Sequence, residues 1–205
     1  MPNHFNQMKA PGRTATSVPP RGEASDVEVV AALARGEVWA ADALYERIAQ
    51  PVDRTLRRLL RTLGSEHDDL VQSVFERILR VLTERSLTLT YDLPAWASVV
   101  ALRVGLDALR RRGREGRLFQ ALPDEIDVHE PGLDRRVEAR SDLLRVQRVV
   151  AKMKSKYSET VLLHDVLGHD LAEVADLTGV SVAAAQSRLV RGRKDLMRRM
   201  AAEKR

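Results

Sequence analysis

The sequence predicts an all-α fold in two helical blocks, and three observations carry that prediction. From Asp26 onward, apolar residues recur at intervals of three and four over most of the chain. Few segments show the two-residue alternation of a half-buried strand. Between about Gly113 and Arg135 the helical period breaks. That stretch holds Gly116, Pro123, Pro131 and Gly132 with the acids Asp124, Glu125, Asp127 and Glu130, the composition of an interdomain linker. The expected organisation is a disordered tail over 1–25, a helical bundle over 26–117, a flexible acidic linker over 118–138 and a helix-turn-helix domain over 139–205.

Each element has a local reason. Met1 to Glu23 is rich in Pro, Gly, Ser, Thr and Asn without any period, so it lacks the apolar surface needed to order itself. Asp26–Ala34 reads as a short helix that stops at Gly36. A longer helix is expected from Trp39 to Leu63, with Leu44, Ile48, Val52, Leu56, Leu59 and Leu63 on one stripe. Pro51 lies inside it and should kink or interrupt it. After Gly64, Ser65 and Asp68 form an approximate capping box for a helix from Glu66 to Glu84, whose first turn is loaded with acids. Its expected buried residues are Val71, Val74, Phe75, Ile78 and Leu82. Ser86 to Leu93 is a loop. Asp92 and Pro94 then open a helix to about Arg112 that buries Ala97, Val100, Ala101, Val104 and Ala108. The second block runs from about Arg136 to Lys204.

Bulk properties narrow the function. Lys and Arg total 34 against 29 Asp and Glu, a net charge of +5, which suits a polyanionic partner without being extreme. The chain has no Cys. That excludes a disulfide scaffold, a thiol nucleophile and a Cys-ligated zinc site, and it fits a reducing cytosol. No apolar run reaches the length of a membrane span, and the first residues lack the apolar core of a signal peptide. Aromatic residues make up 4%, so any base stacking must use few of them. The five His are scattered, with no acid at metal spacing. Without a Gly-rich phosphate loop or a nucleophile elbow, no catalytic site and no cofactor are expected.

Two polar faces and one motif carry the positive evidence. Asp69, Gln72, Ser73, Glu76 and Arg80 share one exposed helix face by their spacing; taken alone, such a face is a solvated surface. On the following helix, Arg103, Asp107, Arg110, Arg111 and Arg114 lie away from the Ala/Val stripe, where arginines attract phosphate and fork onto base edges. For the run from Arg112 to Arg117, a helix end satisfying its own dipole is an equal reading. Near the chain's end, His169 to Lys194 reads as two short helices joined by a turn at Gly179, the layout of a DNA-binding helix-turn-helix. Ala185, Leu189, Gly192, Leu196 and Met200 form the inner stripe of the second helix. Ala184, Ser187, Arg188 and Arg191 face outward, with Lys194 further along. Gln186 suits adenine, Arg188 guanine or phosphate, and Arg191 phosphate. Gly within a helix costs about 1 kcal/mol against Ala, so Gly192 implies close packing.

These residues together resemble a known family. Ser65-Glu-His-Asp-Asp-Leu-Val-Gln-Ser-Val-Phe-Glu-Arg-Ile-Leu-Arg80 resembles region 2 of bacterial RNA polymerase sigma factors, as do Leu33-Ala-Arg-Gly36 and Ala43-Leu-Tyr-Glu-Arg47 upstream. Trp96 followed by Asp107-Ala-Leu-Arg-Arg-Arg-Gly-Arg114 is similar to the helix of that domain that reads the promoter −10 element. Tyr157 to Gly168, Leu171 to Val182 and Gln186 to Lys194 are similar to region 4. The chain has no room for the third domain of housekeeping sigma factors, so the layout resembles the extracytoplasmic-function (ECF) group.

The resemblance implies an alternative sigma factor with core RNA polymerase, promoter DNA and an anti-sigma factor as partners. It implies that the Asp69, Gln72, Ser73, Glu76 and Arg80 face docks on polymerase. It further implies that the 86–93 loop, through Ser86, Thr88 and Tyr91, receives an extruded base during strand opening. Trp96, Arg103, Asp107, Arg110, Arg111 and Arg114 would then read the −10 element, with Trp96 either stacking at the duplex edge or anchoring the core. Ser181, Ala184, Gln186, Ser187, Arg188, Arg191 and Lys194 would read the −35 element. The chain departs from the family at Arg103, where Asn is frequent, at Met153-Lys154, where Leu-Pro is usual, and at Gln186, where a basic residue is common. The alternatives are a conventional helix-turn-helix regulator that works without polymerase, and a sigma-like protein with weak melting activity.

Overall fold

A computed structural model of the chain describes residues 24–60, 66–84, 92–115 and 133–203, without the side chains of Glu84 and of 133–137. The expectations for the tail, Leu63, Ser65, Ser86, Thr88, Tyr91 and most of the linker fall outside these residues.

Every described element is helical. The first block comprises α1 (Asp26–Ala34), α2 (Val38–Leu59), α3 (Glu66–Glu84) and α4 (Leu93–Arg114). α1 opens with a full capping box between Ser25 and Glu28 and ends before Gly36, whose φ of 74° is a conformation open to glycine. α2 is the central strut. Its stripe of Leu44, Ile48, Val52, Leu56 and Leu59 is buried as the periodicity implied. Of the two outcomes expected at Pro51, a kink or an interruption, the interruption does not occur: α2 runs from Val38 to Leu59 without a break. A helix-interior proline costs about 3 kcal/mol, while each buried Leu or Ile beside it contributes roughly 1.5–3 kcal/mol, so the stripe prevails.

α3 buries Leu70, Val74, Ile78 and Leu82, whereas Val71 and Phe75, expected inside, are only half-buried. α4 is capped by Asp92, whose carboxylate accepts from the Ala95 amide. Leu93 at its first position is fully buried, and its amide donates to Asp26 at 2.8 Å. Gly105 lets α4 lie close against α2: a Cβ there would stand 2.7 Å from a Leu59 methyl. Arg112 near the end of α4 reaches Glu66 at the start of α3 at 2.5 Å. This side chain is a strut within the first block.

The second block comprises α5 (Leu133–Lys152), α6 (Ser155–Val161), a π-turn (Leu162–Val166), α7 (Leu171–Thr178) and α8 (Val182–Ala202). α5 begins inside the stretch expected to be linker and ahead of Arg136. The π-turn had no sequence signal. α7 and α8 form the helix-turn-helix, and α8 is not short, as its motif suggested, but 21 residues long. α7 carries a capping box between Asp170 and Glu173 and ends at Gly179 with φ 67°. α8 is capped by Ser181, which accepts from the Ala184 amide. Gly192 fits its close-packing expectation, since a Cβ would meet Val161 at 2.6 Å and the Tyr157 carbonyl at 3.1 Å.

The blocks pack against each other. Leu102, Leu106 and Leu109 of α4 and Val149, Val150 and Met153 at the end of α5 belong to one apolar core that also takes in Leu163 and Val174. Between the blocks, the buried Gln147 amide donates to the Leu59 carbonyl at 2.8 Å, satisfying an orphan acceptor at the end of α2.

Candidate nucleic-acid interface

The α3 and α4 helices diverge enough to leave an open groove of 840 Å³ between them. Leu70, Val81, Val100, Val104 and Ala108 contribute apolar surface, and Trp96 lines it while packing half-buried against the core. Both roles weighed for Trp96 are thus compatible with its position. The walls carry Arg77, Arg80, Arg103, Arg111 and Arg114 against the acids Glu76 and Asp107. Five guanidinium groups against two carboxylates make the groove strongly positive, a site that draws in a polyanion. Among the described residues, Arg77, Arg80, Arg111 and Arg114 have no carboxylate partner, so their charge is available.

The faces separated in the sequence therefore meet in space. Ser73, Glu76 and Arg80 from the α3 set and Trp96, Arg103, Asp107, Arg111 and Arg114 from the α4 set line the same groove. Asp69 and Gln72 stand outside it on the exposed side of α3. Gln72 donates to Glu76 at 2.9 Å and the Ser73 hydroxyl donates to the Asp69 carbonyl at 2.9 Å. Both bonds join residues one helical turn apart and pre-order that edge. Arg110 is apart from the groove: it bonds Asp107 at 3.2 Å and Ser158 of α6 at 3.2 Å.

Two features escaped the sequence reading. Arg77 completes the basic wall; its place four residues after Ser73 was a usable signal. Tyr45 of α2 stacks on Phe75 with ring centroids 5.2 Å apart while remaining exposed, an apolar patch on α3 beside Gln72 and Glu76. No local pattern in α2 announced that pairing.

On α8, Ala185, Leu189 and Gly192 are buried, and Leu196 and Met200 are half-buried. Gln186, Arg191 and Lys194 are exposed, while Ala184, Ser187 and Arg188 are half-buried. Ser181 is exposed but its hydroxyl is engaged as the helix cap. Arg193, on another side of α8, is tied down: Asp165 of the π-turn accepts from it at 2.5 and 2.9 Å, and His164 lies 2.8 Å from the same carboxylate. The Arg193 hydrogen bonds hold the Asp165 carboxyl below the usual carboxylate range. Arg193 is thus a brace between α8 and the π-turn, while Arg191 and Lys194 are exposed and Arg188 is half-buried among the other cations of this helix. Among the described residues no cluster of His, Asp and Glu converges as a metal site, and no helix is long and apolar enough to cross a membrane.

A basic groove ahead of a helix-turn-helix is the layout of a nucleic-acid-binding protein. The sequence profile of sigma-70 region 2 matches residues 44–115, and that of sigma-70 region 4 matches residues 143–196. The chain belongs to the ECF RNA polymerase sigma factors, an alternative group that directs transcription initiation. It is 30% identical over 182 residues to the ECF sigma factor SigC of Mycobacterium tuberculosis, covering 85% of this chain and 92% of that protein. It is 28% identical to the sigma factor NccH of Alcaligenes xylosoxydans xylosoxydans, over 84% of this chain and 95% of NccH. It is also 27% identical to the ECF sigma factor SigE of Mycolicibacterium smegmatis, over 80% of this chain, and spans 63% of that relative's length. The fold is that of CnrH, solved in complex with the cytosolic domain of CnrY, with a TM-score of 0.51, 21% identity and coverage of 86% of this chain and 97% of CnrH.

Proposed function

We propose that the chain joins core RNA polymerase in the cytoplasm and confers promoter recognition by gripping DNA at two places. The region-2-like domain over 26–117 docks on polymerase through Asp69, Gln72, Ser73, Glu76 and Arg80. It then holds opened DNA at the −10 element along Trp96, Arg103, Asp107, Arg110, Arg111 and Arg114. The 86–93 loop, with Ser86, Thr88 and Tyr91, receives an extruded base; unstacking costs a few kcal/mol, which capture must offset. The domain over 139–205 reads the −35 element through Ser181, Ala184, Gln186, Ser187, Arg188, Arg191 and Lys194. The residues over 118–138 join the two, the polymerase supplies the chemistry, and the chain contributes no catalysis of its own. An anti-sigma factor is the expected regulator; CnrH, whose fold the chain shares, was solved with a protein partner, the cytosolic domain of CnrY.

The observation that supports this reading is the groove itself: its basic wall is continuous with the Gln72–Glu76 edge of α3. A regulator working without polymerase would have no use for that edge. The test is run-off transcription with purified core polymerase on fragments of the source genome. Promoter-specific transcripts are expected; DNA binding without any transcript would favour the regulator. Combined Gln72→Ala and Glu76→Ala should weaken polymerase binding while leaving duplex binding through α8 intact. Equal loss of both would remove the docking role from that face.

A further inference from the structure

Positive charge is not spread evenly along the groove between α3 and α4. Arg112 near the end of α4 meets Glu66 at the start of α3, so the two helices run in opposite directions. The second half of α3, with Arg77 and Val81, therefore lies across from the first turns of α4, with Trp96 and Val100. From Leu93 to Leu102, α4 carries no charged side chain. Its first cation is Arg103, which donates to Glu159 of α6 at 2.7 Å. At the Trp96 end of the groove, the cations of the wall thus come from α3. Two rows on α3 divide the work, each with residues four apart. Gln72, Glu76 and Arg80 form the outer edge, where Gln72 donates to Glu76 at 2.9 Å. Ser73, Arg77 and Val81 form the row beside it, and all three line the groove. Arg77 sits at the centre of that inner row, exposed and with no carboxylate partner among the described residues.

We propose that Arg77 is a DNA-holding residue: it takes a phosphate of the opened strand next to a base stacked on Trp96, so that the strand is gripped from both walls and not by α4 alone. Stacking on an aromatic ring tolerates any base and leaves the strand free to slide. A fixed phosphate sets its position. The uncharged opening of α4 cannot supply that contact, whereas Arg77 can meet a phosphate without first giving up a carboxylate. The inference rests on the sigma reading. It adds that α3 serves two partners through two adjacent rows, polymerase on the outer edge and DNA on the inner one.

The test uses the full chain bound to core polymerase and a labelled non-template oligonucleotide from a promoter found in the run-off screen. Arg77→Ala should bind the oligonucleotide several-fold more weakly. It should also lower the slope of log affinity against log salt by about 0.7, the loss of one phosphate contact on a single strand. Affinity for polymerase should stay at the parent's value, and Arg77→Lys should restore most of the DNA binding, because a phosphate accepts a point charge. The control is Arg54→Ala, which removes the same charge from an exposed position of α2 outside the groove. Single uncharged methylphosphonates walked along the oligonucleotide should find one position where the parent loses affinity and Arg77→Ala loses none further. A change no larger than the control's, no such position, or a parallel loss of polymerase affinity overturns the assignment. A parent chain that does not bind polymerase counts against the sigma reading instead. The free chain titrated with oligothymidine then decides Arg77 by the same change of slope, and an unchanged slope overturns it.

Discussion

Gly192 and Gly105 look alike in sequence, each a glycine inside a long helix, but their surroundings differ. At Gly192 an added Cβ would meet a Val161 methyl at 2.6 Å and the Tyr157 backbone carbonyl at 3.1 Å, and the backbone cannot turn aside. At Gly105 the close neighbour is the far end of the Leu59 side chain, which can rotate away. Ala gains about 1 kcal/mol of helix propensity over Gly, against an overpacking cost of about 1–3 kcal/mol. Gly192→Ala should therefore lower stability by about 1 kcal/mol in urea unfolding, while Gly105→Ala stays closer to neutral. A stabilised Gly192→Ala would mean that α6 yields to α8. Arg188 poses a different question at the same scale. If it reads a base, its replacement by Ala should cost about 1–3 kcal/mol of discrimination between duplexes; a uniform loss over all duplexes, measured by competition binding, would make it a phosphate contact.

Among the elements, the helices with strong periodicity and capping chemistry were legible. The α2 stripe, the α3 span, the Asp92 start of α4 and the Gly179 turn could all be read from local pattern because local physics determines them. The π-turn could not, since a single turn of i→i+5 bonds is too short for apolar spacing to distinguish it from ordinary helix. Its consequence is electrostatic: it presents Asp165 to Arg193 of the recognition helix. The folded Asp165 carboxyl titrates below its unfolded value. Its contribution is therefore complete above the ordinary carboxylate range and is lost as pH falls through the depressed value. Asp165→Asn should thus destabilise the chain near neutral pH by about 1 kcal/mol or less, and the gap to the parent should close in acid. A gap independent of pH, measured by urea unfolding across that range, would make the bond neutral in character.

For the molecule as a whole, the sequence was least informative. The α4 side of the arginine wall was legible, because Arg103, Arg111 and Arg114 follow helical spacing, whereas Arg77 on α3 was not singled out. Glu159, Ser158 and Gln147 were not, because nothing in α5 or α6 signals contact with residues 48 to 88 positions earlier. The acidic stretch between the blocks reads as a flexible linker and carries no sign of how the blocks pack, which is set by apolar surfaces on both sides. Gln147→Leu tests that interface directly: it strips the Leu59 carbonyl of a donor and should cost about 1–3 kcal/mol in the midpoint of urea unfolding. An unchanged midpoint would show that another donor replaces the amide.

The length of α8 gives that interface a mechanical side. Twenty-one residues at 1.5 Å rise make a rod of about 32 Å. Just past its far end, Glu203 is clamped by Lys152 at 3.1 Å and Arg148 at 3.7 Å, both on α5. Because α5 also carries Gln147, the rod works as a lever arm. If its first turns enter a DNA groove as proposed, torque applied there is delivered through Glu203 to the helix that seats one block against the other.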